Sequence, residues 1–157
     1  MRRKEKEIVN QAQIDAIINS CDVCRLGLSK DNRPYVIPIS FGYDGQNIYF
    51  HTALVGQKLE YLAANAQVCV EFERQVQIIP HATSPCSWSA AFQSVICFGA
   101  AEEITAPEKM LAALNTIMRH YSGREWEIPP EQLSVLRTWR IKISTWHGKQ
   151  TRKQVCE

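Results

Sequence analysis

The chain has 157 residues, of which 45% are hydrophobic, and its formal net charge is +2. This length allows one globular domain with a real core and no second domain, so residues 1–157 are expected to form one unit. Basic residues cluster only near the termini, which gives no case for nucleic-acid binding. No apolar run approaches the roughly 20 residues of a spanning helix, and the N-terminus is charged, so we expect a cytoplasmic protein without a membrane partner.

The first predicted elements are one helix and one strand. Residues 10–20 place isoleucines at helical spacing, with Asn10 or a neighbour as the N-cap. Residues 23–29 alternate as in a strand, and the polar residues 30–33 form a turn. The chain therefore opens with a packing helix and then begins an antiparallel meander.

Two further strands flank a turn in the next segment. Residues 35–41 and 47–51 are rich in β-branched and aromatic residues, and residues 43–47 form a turn cluster that contains a glycine. This pattern predicts a β-hairpin. Pro38 cannot donate a ladder hydrogen bond, so it belongs at a sheet edge, at a bulge or where the backbone faces a ligand.

The second hairpin strand leads through a glycine-containing loop into a helix predicted over residues 57–64. Such a connection offers unpaired backbone N–H groups, here with the hydroxyl of Thr52 and the ammonium of Lys58, and this combination suits a phosphate. An ordinary connection with Thr52 as N-cap and a solvated Lys58 explains the same spacing. Neither G-x-x-x-x-G-K-[ST] nor G-x-G-x-x-G is present, so spacing alone favours the structural interpretation.

The rest of the chain predicts three more strands and a long helix. The predicted order is a strand over 67–74, a long irregular loop over 75–91, a strand over 92–103 with Gly99 at a bulge or close approach, a helix over 107–121 and a last strand over 135–144. About six or seven strands with short turns predict an α+β fold built on a small antiparallel barrel. A barrel of this size encloses side chains, so any large ligand must bind on its outside.

Six cysteines are expected to remain reduced thiols in the cytosol: Cys21, Cys24, Cys69, Cys86, Cys97 and Cys156. Cys21 and Cys24 have the C-x-x-C spacing of a redox pair or of half a zinc site. No second C-x-x-C or H-x-x-x-H follows at zinc-finger spacing, and Cys24 begins a strand. A packing role is therefore favoured, and no metal site is predicted.

The run YVIPISFGYDGQNIYFHTALVGQKLEYLAANAQVCVEF resembles the FMN-binding split-barrel superfamily that includes pyridoxamine 5′-phosphate oxidase, in particular its nitroimidazole-resistance (Nim-like) branch. The resemblance also covers MRRKEKEI, C-R-L-G-L and FQSVICFGAAEEI, whereas the last quarter matches poorly. There His147 replaces the Thr of the usual T-G-K. The resemblance implies a split barrel that binds FMN at a homodimer interface.

The resemblance also assigns residues to the cofactor site. The first hairpin strand contacts the isoalloxazine ring through its backbone, the strand-loop-helix holds the phosphate and ribityl chain, and a serine approaches from the facing strand. Gln57 stands where the oxidase has a second basic residue, which leaves less charge to compensate the phosphate. The assigned residues are Val36, Ile37, Pro38, Ile39, His51, Thr52, Gln57, Lys58 and Ser94.

His51 is the candidate catalytic residue, because Nim-like proteins carry a histidine in the same Y-F-H-[ST]-A context. It either donates a proton to the reduced substrate or only hydrogen-bonds the phosphate. His81, His120 and His147 match no metal template.

The resemblance implies an oxidoreductase that takes hydride from NAD(P)H and reduces a small acceptor such as a nitroaromatic. One alternative is a non-catalytic flavin- or haem-binding protein. The other is pyridoxamine 5′-phosphate oxidase activity, which is disfavoured because the chain lacks the R-x-L-x-P-like terminal signature of that oxidase.

Overall fold

The computed structural model describes residues 4–151 and has an antiparallel sheet of eight strands with three α-helices. The strands are β1 (Glu7–Ile8), β2 (Cys24–Lys30), β3 (Arg33–Ile39), β4 (Gly42–Tyr43), β5 (Asn47–Thr52), β6 (Gln67–Ile79), β7 (Ser89–Ile104) and β8 (Arg137–Thr151). The helices are α1 (Gln11–Asn19), α2 (Gln57–Ala64) and α3 (Pro107–Ser122).

The sheet closes on itself. Its strand order is β3-β2-β6-β7-β8-β5-β4, with β1 added beside β8. β3 and β4 lie at opposite ends of this order, yet only Ser40 and Phe41 separate them in the chain. Because two linking residues span at most about 10 Å, the sheet must curl until its two edges meet. The predicted α+β split barrel is therefore confirmed.

Alternating side chains fill the barrel. On β6, Val68, Val70 and Phe72 are buried, while Glu71 and Glu73 point to the other face. Helix α1 packs three fully buried isoleucines on the core, and the side chain of its N-cap, Asn10, accepts the Gln13 N–H at 3.0 Å. That cap was predicted from the sequence.

The predicted hairpin between residues 35–41 and 47–51 is wrong. β3 pairs with β2 over its whole length, and only the two residues of β4 pair with β5. The chain instead crosses from one sheet edge to the other at Phe41, whose side chain is fully buried. The expectation for Pro38 is confirmed, since β3 is an edge strand.

The predicted long loop over residues 75–91 is also wrong. β6 continues to Ile79 and β7 begins at Ser89, so only residues 80–88 connect them. The register shifts between Arg74 and Gln77, and Gln75 has a φ of 55°. This bulge breaks the alternation that identifies a strand in the sequence.

The last strand is longer than predicted. β8 runs to Thr151, with His147 paired to Ile96, because β7 and β1 both supply backbone partners along it. The close approach predicted at Gly99 is confirmed. The register shifts there, and a Cβ on this residue would clash with the Lys142 carbonyl oxygen.

Helix α3 is tied to the crossing between β3 and β4. The Tyr121 hydroxyl accepts the Phe41 N–H at 3.1 Å and donates to the Asp22 carbonyl at 2.7 Å. Gly123 ends the helix in the left-handed conformation. Within residues 4–151, no helix has the length and apolar character needed to cross a membrane.

The thiols in the described part of the chain are all unpaired: Cys21, Cys24, Cys69, Cys86 and Cys97. Cys156 lies outside the described residues. Burial raises the pKa of the Cys24 thiol far above its ordinary value, which makes it an inert core group. Over the same part of the chain, no three potential metal ligands come together.

Candidate functional site

The free edge of β3 is the first component of the site. β3 pairs only with β2, so along residues 33–39 alternate backbone N–H and C=O groups face away from the sheet without a strand partner in the described chain. Val36 is 63% exposed, whereas Ile39 is 6% exposed, and Pro38 has no N–H to offer. A flat polar ring can therefore be recognised here by backbone groups.

The connection between β5 and α2 is the second component. Gly56 is the N-cap of α2 with φ 141° and ψ 161°, a conformation that is essentially restricted to glycine. No side chain caps α2, so Thr52 is not its N-cap as the structural interpretation supposed. The N–H groups of Gln57 and Lys58 lie in the first turn, where no helical carbonyl can accept them. They form an anion-binding position at the positive end of the helix dipole.

Thr52 points into the barrel. Its side chain is 6% exposed, and its hydroxyl accepts the indole N–H of Trp139 at 3.3 Å. Only the backbone of Thr52 is therefore available to a ligand outside the barrel. His51, the preceding residue, points to the opposite face and is exposed.

Packing brings these two components together. The rings of Tyr35 and Tyr61 lie 5.1 Å apart, and the Asn65 amide donates to the Ser29 hydroxyl at 2.9 Å. Tyr35 directly precedes Val36, and Tyr61 lies one helical turn after Gln57. These contacts hold α2 against the β2–β3 hairpin, the strand pair to which the free edge belongs.

The site is electropositive. Partial burial lowers the pKa of His51, and the nearby Lys58 ammonium lowers it further. Partial burial also lowers the pKa of Lys58. None of the ion pairs within residues 4–151 involves Lys58. A neutral imidazole beside an uncompensated ammonium is suited to an anionic ligand.

Ser94 lies away from the other residues predicted for the cofactor site. It lies on β7, opposite Glu73 and Lys149, on the outer face of the sheet. Three strand spacings separate β7 from β3, which amounts to roughly 14 Å. Within one chain, Ser94 cannot contact a ligand held at the free edge and at Lys58 without a long reach across the outer face.

Sequence reasoning missed the groove that adjoins the free edge. This outer-face groove has a volume of about 440 Å³ and is lined by Arg25, Gly27, Val36, Cys69, Glu71 and Glu73. Arg25 and Glu71 form an ion pair of 2.9 Å at its border. The cross-strand pairing of Arg25 and Glu71 is the only sequence signal that could have indicated this groove, and it depends on a strand register that the sequence does not reveal.

A larger cavity lies elsewhere. It has a volume of about 510 Å³ between α3 and strands β5, β7 and β8, and Tyr49, Arg140 and Lys109 are among its lining residues. Of the residues predicted for the cofactor site, none lines it.

A split barrel with a free-edge strand and an uncapped, lysine-bearing helix N-terminus offers backbone groups to a flat polar ring and donors to an anion. The profile of the family described as pyridoxamine 5′-phosphate oxidase matches residues 10–150. The chain belongs to this family.

Solved structures support the same assignment. A putative 5-nitroimidazole antibiotic resistance protein of Bacteroides thetaiotaomicron is 30% identical, with a TM-score of 0.81 over 91% of this chain and 85% of that one. A flavocytochrome of Azotobacter vinelandii is 18% identical, with a TM-score of 0.82 over 97% and 72%. An FAD- and haem-binding protein of Mycobacterium smegmatis is 20% identical, with a TM-score of 0.83 over 94% and 74%. The latter two share the fold.

A curated relative matches over a shorter stretch. An uncharacterised protein of Rhizobium meliloti is 23% identical over 64 residues, which is 41% of this chain and 42% of the relative's own length.

The electrostatics of the site predict an abnormal titration of His51. Its midpoint should lie below the ordinary value of 6.5, and Lys58→Met should raise it. The midpoint should still remain below 6.5 in that variant, because partial burial is the larger cause. Proton NMR of the imidazole from pH 4.5 to 8 measures both values. Lys58→Arg keeps the charge and serves as the control, and an unchanged midpoint in Lys58→Met would disprove the electrostatic coupling.

Proposed function

We propose that the protein binds FMN at the free edge of β3 and the first turn of α2, and that it is an NAD(P)H-dependent reductase of a small acceptor such as a nitroaromatic. The observation that carries the proposal is that the β3 backbone has one unpaired edge and that α2, whose N-terminus is uncapped and bears Lys58, packs against the β2–β3 hairpin. The 30% identity to a putative 5-nitroimidazole resistance protein supports the choice of acceptor.

The residues present fit FMN. The N–H groups of Gln57 and Lys58 and the Lys58 ammonium suit the phosphate, while the Val36–Ile39 backbone offers donors and acceptors to the ring edge. Gln57 brings no second charge, so Lys58 carries the main electrostatic contribution. The backbone of Thr52 and the His51 side chain would hold the ribityl chain.

FMN, when bound, supplies the hydride chemistry between the nicotinamide and the acceptor. The chain's own task is to hold the ring, to exclude water from it and to move a proton. His51 is the proton donor in this proposal, acting on the reduced acceptor. Its lowered pKa makes the imidazolium a stronger acid than an ordinary histidine, although a smaller fraction is protonated at pH 7.

A homodimer completes the proposed site. In register across β3, β2, β6 and β7, the row Val36, Gly27, Cys69 and Phe98 runs over the outer face. Val36, Ile96 and Phe98 expose 63%, 37% and 43% of their surface. Exposed apolar residues in one row, bordered here by the charged residues Arg25, Glu71 and Glu73, are a feature of protein interfaces. Ser94 lies on the same face. In the dimer, the cofactor bound by the partner subunit can therefore contact Ser94, although the cofactor bound by the same subunit cannot.

A second candidate is a flavin- or haem-binding protein without turnover. The observation that favours it is the close fold similarity to a flavocytochrome and to an FAD- and haem-binding protein. The visible spectrum of the purified protein separates flavin from haem. Bleaching of a flavin spectrum by NADH or NADPH under anaerobic conditions supports the reductase, and a flavin that neither donor reduces supports the second candidate.

Lys58→Ala should weaken FMN binding more than riboflavin binding, because the lost contact is with the phosphate. A hydrogen bond to a charged group contributes roughly 1.5–3 kcal/mol, which corresponds to roughly 10- to 100-fold in affinity. Fluorescence quenching titrations with both ligands measure the difference. Lys109→Ala, in the α3 cavity, is the control. Equal losses for FMN and riboflavin would contradict a phosphate role.

His51→Asn should leave FMN bound and reduce turnover per bound flavin by roughly 10²-fold, the usual effect of losing a positioned general acid. In the wild type, turnover should fall as pH rises through the His51 pKa, since the imidazolium is the active form. The same change in the exposed loop residue His81 is the control. Identical pH profiles in wild type and His51→Asn at full FMN occupancy would leave His51 as a binding residue only.

Light scattering at micromolar concentration should give about twice the chain mass of 17.9 kDa. Phe98→Lys should shift the protein to monomer and lower FMN affinity, because it places a charge in the apolar interface. Val135→Lys is the control, because Val135 is 59% exposed but does not lie on the outer face. A monomer that binds FMN stoichiometrically would contradict the shared site.

A further inference from the structure

A buried threonine faces His51 across the β5–β8 pair. Thr138 is directly opposite His51 in the register and is 0% exposed. Its hydroxyl has no hydrogen-bond partner in the described part of the chain. Directly opposed residues carry their Cβ atoms on the same face, roughly 4.5–5.5 Å apart. Since buried hydroxyls are almost always hydrogen-bonded, this one requires an explanation.

The other direct neighbour of Thr138 cannot accept its proton. On β7 the opposed residue is Ile104, which has no polar side-chain atom. The nearest polar residue on the same strand and face is Arg140, whose Nε is also buried without a partner. A guanidinium only donates hydrogen bonds, so it can satisfy the threonine oxygen but not the hydroxyl proton.

The polar residues placed diagonally have other partners and are not hydrogen-bonded to Thr138. The Tyr49 hydroxyl donates to the Asp44 carboxylate at 2.8 Å, and Glu102 forms an ion pair with Arg140. His51 is the directly opposed residue, and its neutral form carries an acceptor nitrogen. A hydrogen bond between them requires the χ1 rotamer of His51 that directs the ring toward Thr138.

We propose that Thr138 is a positioning residue for His51. The Thr138 hydroxyl donates a hydrogen bond to Nδ1 of the neutral His51 imidazole. The bond selects the tautomer with the proton on Nε2 and directs that N–H away from the sheet, toward the first turn of α2 and the ligand. The Lys58 ammonium favours the neutral imidazole that this bond needs. When His51 takes up a proton, the hydroxyl rotates and accepts from Nδ1–H instead.

The role in turnover rests on the proposed function, whereas the hydrogen bond does not. Nitrogen-15 NMR of His51 in flavin-free protein tests the bond alone, with the resonances assigned by their loss in His51→Asn. Wild type and Thr138→Ser should show one tautomer above the imidazole pKa, with Nε2 protonated. Thr138→Val, which has the same shape without the hydroxyl, should shift both nitrogens toward a mixture of tautomers.

The second measurement is turnover per bound flavin. Thr138→Val should lower kcat about tenfold, less than the roughly 10²-fold expected for losing the proton donor itself. Flavin affinity should stay within twofold, and Thr138→Ser should restore turnover. If Thr138→Val does not fold, the pair Thr138→Ser and Thr138→Ala replaces it, since these variants both lack the methyl group and differ only in the hydroxyl.

Wild-type nitrogen shifts and turnover in Thr138→Val would overturn the proposal. Greater thermal stability would accompany that outcome, because the variant would remove a buried hydroxyl that has no partner. An absence of flavin binding in the wild type would instead refute the proposed function, and the NMR experiment would still decide the role of Thr138.

Discussion

Closure of the sheet through Ser40 and Phe41 is the constraint on which the rest of the structure depends. Phe41 is fully buried, its ring meets Phe72 edge-on at 5.0 Å and lies 4.4 Å from the His120 ring, and its N–H is held by Tyr121. These contacts hold the two ends of the strand order together. They also leave β3 paired on one side only. The free backbone edge of the candidate site is thus a direct consequence of how the barrel closes.

Strand alternation divides the work between the two faces of β5 and β8. On the inner face, the Phe50 and Trp139 rings stack 6.1 Å apart, and Thr52 accepts the indole N–H. On the outer face, His51 lies opposite Thr138. One side of this strand pair therefore supports the core while the other presents a titratable group, and a shift of one residue in register would exchange the two roles.

The position of α2 connects the fold with the chemistry. The helix is short, and packing of Tyr61 on Tyr35 holds it against the β2–β3 hairpin. Its N-terminus has no capping side chain, a state that leaves donors free for a ligand. A helix end without a capping side chain is less stable than a capped one, and local costs of this kind are common at functional sites.

The sequence by itself determined the helices and the family resemblance. The predicted ranges 57–64 and 107–121 agree with α2 and α3 to within one residue, because Gly56 before α2 and Pro107 and Gly123 at the ends of α3 act locally. The predicted strand over 67–74 lies within β6, where the alternate residues Val68, Val70 and Phe72 are buried. Only the tertiary structure decided that β3 has no second strand partner, that β6 extends through its bulge and that Thr52 points inward. Strand pairing joins residues that are distant in the chain, so it depends on the closure of the whole barrel and carries no local signal.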